Sequence, residues 1–395
     1  MNSTPSLAVD APRVSRELCI AAGLALGPMA VTGMARFAYG LLLPAMRDDL
    51  SWTYAQAGAM NMANALGYLV GTVLSLHLAS RIDARRSFAL GMLVTALTLI
   101  ASGLVRSFEA LIALRAVTGL TSALVFVSGT TLAARIGSAR LAPLAIAVYF
   151  SGAGLGIVLS GAGLPWLFEW RGAAAWPLGW LALGVAALLS TAPSALACAA
   201  LPSTRTAQRP SAWPAHQLGR SFAGHFLFGA GYIVYMTFVV TWLDAHGGSA
   251  AQVATVWSVL GVAVIASPLL WGALLRDGRG GTPLACAIAT LALGAAVPLL
   301  DASWPLLVAS AALVGSAVMI PAAASAAFVR RCVRAPGADA ALATYAVVFA
   351  AGQCLGPVPA GYIADASGSL SAALACSALV LLAGAALAWR QRELA

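Results

Sequence analysis

Lysine is missing altogether: all 22 basic residues of this 395-residue chain are arginine. Charge of either sign is scarce, at 9% of residues, against 61% hydrophobic residues and a mean hydropathy of +0.89. Soluble domains are about a quarter charged and roughly half apolar, so this composition excludes a water-soluble globule. The net charge of +9 does not mark a nucleic-acid binder, because the arginines sit in short connections between apolar runs and not on one soluble face. Paired cysteines are also missing. Cys19, Cys198, Cys286, Cys332, Cys354 and Cys376 are scattered, without CxxC or metal-ligand spacing, and read as small packing residues. There is no Walker phosphate loop, no histidine/carboxylate cluster and no nucleophile motif. Direct ATP hydrolysis is therefore excluded, an enzyme would lack its acids and bases, and no cofactor or metal is expected.

What the chain has in abundance is apolar windows of helix-spanning length. A bilayer core takes about 20 residues of helix. A barrel strand would be about ten residues long and alternate apolar with polar, and no such alternation is present. The windows fall at 18–46, 54–79, 86–105, 108–134, 141–167, 172–200, 219–243, 250–275, 282–300, 303–329, 338–363 and 368–389. The first is too long for a cleaved secretory signal. The longest polar break runs from Pro202 to Arg220 and divides the windows into two sets of six. The expected organisation is a disordered cytoplasmic N-terminus (1–17), a six-helix bundle (18–200), a cytoplasmic linker (201–218), a second six-helix bundle (219–390) and a cytoplasmic C-terminus (391–395).

With the N-terminus placed in the cytoplasm, seventeen arginines fall in cytoplasmic segments and three (Arg47, Arg106 and Arg171) on the opposite face; Arg36 and Arg115 lie inside helices. This asymmetry is the positive-inside rule, and it predicts a multi-pass protein of the bacterial inner membrane with both termini cytoplasmic. Trp52, Trp166, Trp170, Trp242 and Trp304 fall near the outer helix ends, as an interfacial aromatic belt would. The halves also resemble each other. Gly152, Leu155, Gly156 and Gly161 match Gly352, Leu355, Gly356 and Gly361 at an offset of 200 residues. At 196 residues, Tyr39 matches Tyr235, Asp48 matches Asp244, Gly119 matches Gly315 and Arg135 matches Arg331. A stable offset implies a parallel repeat about an axis along the membrane normal, the arrangement in which transporters place a central site between halves.

These features carry a resemblance to the major facilitator superfamily over nearly the whole chain. Leu78-Ala-Ser-Arg-Ile-Asp-Ala-Arg-Arg86 is a degraded form of its cytoplasmic motif, with Ser80 where the family has aspartate. Arg115 and Gly119 match its helix-4 motif. Gly152 and Gly161 keep the helix-5 spacing, but Leu164-Pro165 replaces the family's Gly-Pro, which weakens an inference of antiport. Arg36-Phe-Ala-Tyr-Gly40, Leu43-Pro44, Gly67-Tyr68, Gly352-Gln353, Gly356-Pro357, Gly361 and Asp365 resemble the YbfB/YjiJ-like branch. The resemblance implies transport by two rocking six-helix bundles related by a pseudo-twofold axis, and no substrate.

Polar groups inside the bilayer are costly and need an explanation. Arg36 lies roughly 15 Å deep at 1.5 Å per residue, while all thirteen acids lie in loops or at helix ends. Its partner is either an anionic substrate, gripped by the guanidinium fork, or backbone carbonyls or an acid near a helix end, such as Asp49 or Asp365. Asn61 and Asn64 share a face of helix 2, which Tyr68 continues; cavity lining and interhelical bonding both fit. Gln353 interrupts a glycine-rich helix and reads as cavity lining. Tyr232 and Tyr235 correspond by repeat to Arg36 and Tyr39, and with Tyr39 join the candidate substrate site, although aromatic packing also explains them. His225 reads as a wetted interfacial histidine, with proton carrying as the alternative. The resemblance implies coupling or gating for Arg115, against a snorkelling structural role. It also implies a cytoplasmic latch involving Arg81, Arg85, Arg86, Arg276 and Arg279, although topogenic charge alone would also place arginines there, and Asp365 is grouped with the gating residues.

The expected function is secondary active or facilitative transport, by alternating access, of a small and anionic solute of carboxylate type. Proton-coupled efflux of drug-like apolar compounds is the alternative within transport, and a non-transporting sensor the alternative outside it. Expected partners are a small-molecule substrate, membrane lipid, and a coupling proton or counter-substrate, with the chain acting as a monomer.

Overall fold

The computed structural model describes residues 11–137, 141–203, 213, 215–301 and 303–393. In a bilayer every backbone N–H and C=O must find its partner within the chain, and helices do this locally. Among the described residues twelve helices are long and apolar enough to span a bilayer: α1 (Ser15–Leu50), α2 (Tyr54–Leu78), α3 (Ala84–Ser102), α4 (Phe108–Ala133), α5 (Ala142–Arg171), α6 (Ala173–Ala199), α7 (Ala215–Ala245), α8 (Ala250–Asp277), α9 (Thr282–Leu300), α10 (Trp304–Cys332), α11 (Gly337–Ser367) and α12 (Leu370–Trp389). Large aliphatic side chains such as Leu189, Leu196 and Leu269 remain on the outer surface, as they would against lipid tails.

The packing repeats with a period of six helices. α1 packs on α5 as α7 does on α11; α2 on α4 as α8 on α10; α3 on α6 as α9 on α12. The halves meet where α5 lies against α8 and, equivalently, α11 against α2. The glycine repeat has a steric reason. A Cβ on Gly152 would strike the Ala25 carbonyl of α1, and one on Gly352 the Phe226 carbonyl of α7. Gly156 meets Met29 and Gly356 meets Ala230 in the same way. Small residues allow backbones to approach this closely.

Several expected boundaries differ. Residues 11–17, expected to be disordered, extend the first helix, which begins at Ala11. Residues 1–10 and most of the linker (204–212 and 214) lie outside the described residues, as do Arg140, Arg205 and Arg209, which contributed to the expected orientation. Gln391 is buried and ties the C-terminal segment down: its amide donates to the Gln217 carbonyl at 2.9 Å and accepts from the Ser221 N–H at 3.1 Å. Two members of the expected tryptophan belt are interior. Trp52 packs edge-on against Phe108, and Trp242 donates to Ser371 at 2.9 Å, both nearly inaccessible.

Three spans lose regular α-helix midway. In α1, residues Met29–Phe37 form a π-helix directly after Pro28, with the Ala38 N–H bonded to the Gly33 carbonyl at 3.0 Å. α10 breaks at Val318–Met319, ahead of Pro321. α11 stops at Leu355 and restarts at Pro357, where the missing N–H of proline leaves the Gln353 carbonyl without its helical partner. Discontinuous helices are tolerated at membrane depth where they line a cavity.

Candidate functional site

The π segment of α1 and the break of α10 border one cavity of about 150 Å³ between the halves, lined by residues of α1, α2, α4, α7, α10 and α11, the last through positions ahead of its break. Arg36 enters it from the π segment. The π turn is seated by Gly33, whose Cα side faces Gly156 of α5 so closely that neither position has room for a side chain. Backbone packing of α1 on α5 therefore determines where Arg36 stands.

Arg36 is 7% exposed. Its Nη2 donates to Oε1 of Gln353, and its guanidinium lies over the Tyr68 ring at 4.8 Å. The same Gln353 oxygen accepts from the Tyr232 hydroxyl at 2.9 Å. The cluster is thus donor-rich: two donors share one amide oxygen, while Arg36 Nε and Gln353 Nε2 are buried without hydrogen-bond partners. Among the described residues no carboxylate lies within ion-pair distance of Arg36. Asp49 is engaged by Arg106 and by the Trp176 indole N–H at 2.7 Å. Asp365 accepts from the backbone N–H groups of Tyr54 and Ala55, each at 2.9 Å.

Arg36, Tyr68 and Tyr232 line the cavity, and Gln353 adjoins them through Arg36 and Tyr232. The other four expected substrate contacts do not line it. Asn61 and Asn64 belong to a second, buried cluster around Arg115. There Arg115 Nη2 donates to Asn61 at 3.2 Å, Nη1 to the Ala35 carbonyl at 2.5 Å, and Asn64 donates to the Arg115 carbonyl at 3.2 Å. Asn61 then donates across the interface to Thr237 at 2.6 Å. Tyr39 bonds the Ala57 carbonyl at 2.8 Å under the Arg115 guanidinium, and Tyr235 bonds Ser310 at 2.8 Å. Interhelical bonding accounts for all four. Arg115 itself is 1% exposed, so it is a buried crosslink and does not snorkel.

His225, expected at a wetted interface, is buried. It is 3% exposed, enclosed by Phe228, Tyr345 and Phe349, with Nδ1 3.2 Å from the Ser325 hydroxyl, and it lines the cavity. Phe228, Phe349, Phe126 and Tyr345 are lining residues that sequence inspection passed over. A signal existed: residues 225, 228 and 232 share one face of α7, and residues 345, 349 and 353 one face of α11, by the i, i+4 rule.

Hydrogen bonds and ring contacts across the halves run from the level of Arg36 toward the face away from the termini: Arg36 with Gln353, Phe37 with Tyr232, Asn61 with Thr237, Tyr54 with Phe238, and Asp365 with the start of α2. On the face of the termini, Arg85 is held inside its own half by Asp83 at 2.9 Å and the Leu201 carbonyl at 3.1 Å, while Arg81 and Arg86 are exposed. The cavity is therefore sealed from the first face and lies toward the second.

The family model described as "Uncharacterised MFS-type transporter YbfB" matches residues 29–389. Among solved structures, the chain resembles a bacterial homologue of the human lysosomal transporter Spinster in an inward-facing, unoccupied conformation, with TM-score 0.70, 16% identity, and 98% of this chain and 97% of that one covered. It resembles the nucleoside transporter NupG with TM-score 0.71, 14% identity and 95% and 98% coverage. For the human organic anion transporter MFSD10 the TM-score is 0.64, with 17% identity and 95% and 99% coverage. Twelve membrane-spanning helices, packing that repeats every six and a family match over nearly the whole length place this chain in the YbfB family of major facilitator superfamily transporters, as a multi-pass membrane protein that moves a solute.

Proposed function

We propose that the solute is a small organic anion of carboxylate type, bound at Arg36 and carried by alternating access across the inner membrane, with both termini cytoplasmic. The observation that carries this is the buried Arg36–Gln353–Tyr232 cluster, which has surplus donors and no carboxylate. A cation held in a low-dielectric site is costly without a counter-charge. An entering carboxylate supplies two acceptor oxygens and the missing charge, in the bidentate geometry that a guanidinium fork favours. The seal away from the termini and the cavity on the other side support a cytoplasm-facing state of the rocking cycle. Two bundles with one central cavity suit a monomer, and His225 in the same cavity offers a site for a coupling proton.

The test is a thermal-shift screen of the purified chain against organic acids, amines and neutral compounds. A ligand at 100 times its Kd stabilises the folded state by about 2.7 kcal/mol. Carboxylates are expected to raise the unfolding temperature of the wild type and not of Arg36→Gln, and the best of them to undergo counterflow in proteoliposomes. Stabilisation by neutral or cationic compounds alone, persisting in Arg36→Gln, would favour the efflux of apolar compounds instead.

A further inference from the structure

We infer that the anion is aromatic: a one-ring arenecarboxylate whose carboxylate meets Arg36 and whose ring packs against the Phe228–Phe349 wall. This rests on the anion reading above and narrows it. Seven of the sixteen cavity-lining residues are Phe or Tyr, in a chain that is 8% aromatic. They are also ordered. Phe228, Tyr232 and Phe349 stack in near-parallel planes, with centroids 4.9, 5.2 and 5.7 Å apart and interplanar angles of 25°, 16° and 16°.

Tyr232 joins the polar and apolar parts of the site. Its hydroxyl belongs to the Arg36–Gln353 cluster at 2.9 Å from the amide oxygen, while its ring belongs to the stack. The charged cluster and the aromatic stack are thus joined through a single phenol side chain. A ligand that satisfies both ends carries its carboxylate directly on a ring or one carbon away. Volume agrees: a cavity of about 150 Å³ is the size that holds a single benzene ring. Offset stacking and edge-to-face contact reward a flat ring beyond the area it buries. A saturated ring of the same size gains only the burial. Met319, at the break in α10, lines the same cavity, and thioether–ring contact adds to the preference. The one cation lining the cavity, together with the absence of a lining carboxylate among the described residues, argues against aromatic amines.

The experiment compares benzoate, cyclohexanecarboxylate and benzyl alcohol by titration calorimetry on the full-length chain in lipid nanodiscs, with wild type, Phe349→Leu, Phe228→Leu and Arg36→Gln. Benzoate is expected to bind wild type about tenfold more tightly than cyclohexanecarboxylate. Either leucine variant should erase that preference, and Arg36→Gln should lose both acids. Two leucine variants are used so that misfolding of one leaves the other to decide. Equal binding of the two acids by wild type overturns the aromatic assignment and leaves the anion reading standing. Benzyl alcohol binding as well as benzoate, with Arg36→Gln unimpaired, overturns the anion reading and this inference with it. Failure of benzoate to bind wild type also overturns the inference.

Discussion

The contact most directly linked to alternating access is the carboxylate of Asp365. α2 begins with four N–H groups that its own helix cannot satisfy. Thr53 and Gln56 form a capping box that satisfies two of them, with Thr53 Oγ1 accepting from Gln56 at 3.1 Å and Gln56 Oε1 from Thr53 at 2.9 Å. The other two, on Tyr54 and Ala55, are bonded by Asp365 from the opposite half, each at 2.9 Å. The seal thus combines two charge-assisted bonds with a carboxylate at a helix N-terminus. Asp365→Asn keeps one acceptor, turns an amide donor toward the other N–H, and removes the charge. A charge-assisted bond is worth about 1.5–3 kcal/mol and the dipole term about 0.3–1 kcal/mol, but Asp365 is solvent-exposed, so about 1 kcal/mol is the expected net loss. That corresponds to about a fivefold shift in the balance of conformations, toward the state open away from the termini. Spin labels at Glu109 and Asp301, both exposed on that face and in different halves, would report it by pulsed dipolar distances in a cysteine-free background. The long-distance population should grow about fivefold. Thr53→Ala is the control. It removes a cap wholly inside α2, costing about 1 kcal/mol of stability, and should leave the distances alone. Distances unchanged in Asp365→Asn, or changed equally in Thr53→Ala, would refute the assignment of Asp365 as a cross-half seal.

Three further outcomes follow from the packing. Gly156→Val drives a Cβ into the Met29 carbonyl and the Gly33 Cα, at 2.9 Å from the latter; because backbone cannot yield, stability should fall by about 1–3 kcal/mol in thermal unfolding, with ligand binding at Arg36 lost as the π segment moves. Arg115→Lys removes the fork that reaches Ala35 and Asn61 together, so one buried acceptor is orphaned and about 1–3 kcal/mol is lost; unchanged thermal stability would mean the second cluster is not structural. Thr237→Val removes the acceptor for Asn61 across the interface and should destabilise the same seal as Asp365→Asn, in the same distance measurement, with a wild-type distance distribution as the contrary result.

Hydropathy was enough for the twelve spans, and the glycine repeat with the family motifs was enough for the transporter class. Lipid offers the backbone no hydrogen-bond partner, so each apolar run has to become a helix. The glycines at an offset of 200 residues were legible for a similar reason, since a backbone-to-backbone contact leaves room for nothing larger. Arg36 stood out because its cost at that depth does not depend on which neighbours surround it. What composition and spacing could not decide is which polar groups meet. Asn61 and Asn64 share a helix face with Tyr68, yet one and two turns of helix separate the residue that lines the cavity from the two that brace Arg115 behind it. His225 and the stacked phenylalanines acquire their place only when α7, α10 and α11 close around them. A hydrophobic pattern specifies which face of a helix turns inward; the rotation and depth at which two inward faces engage are set by close packing among all twelve, and the binding site is made at that level.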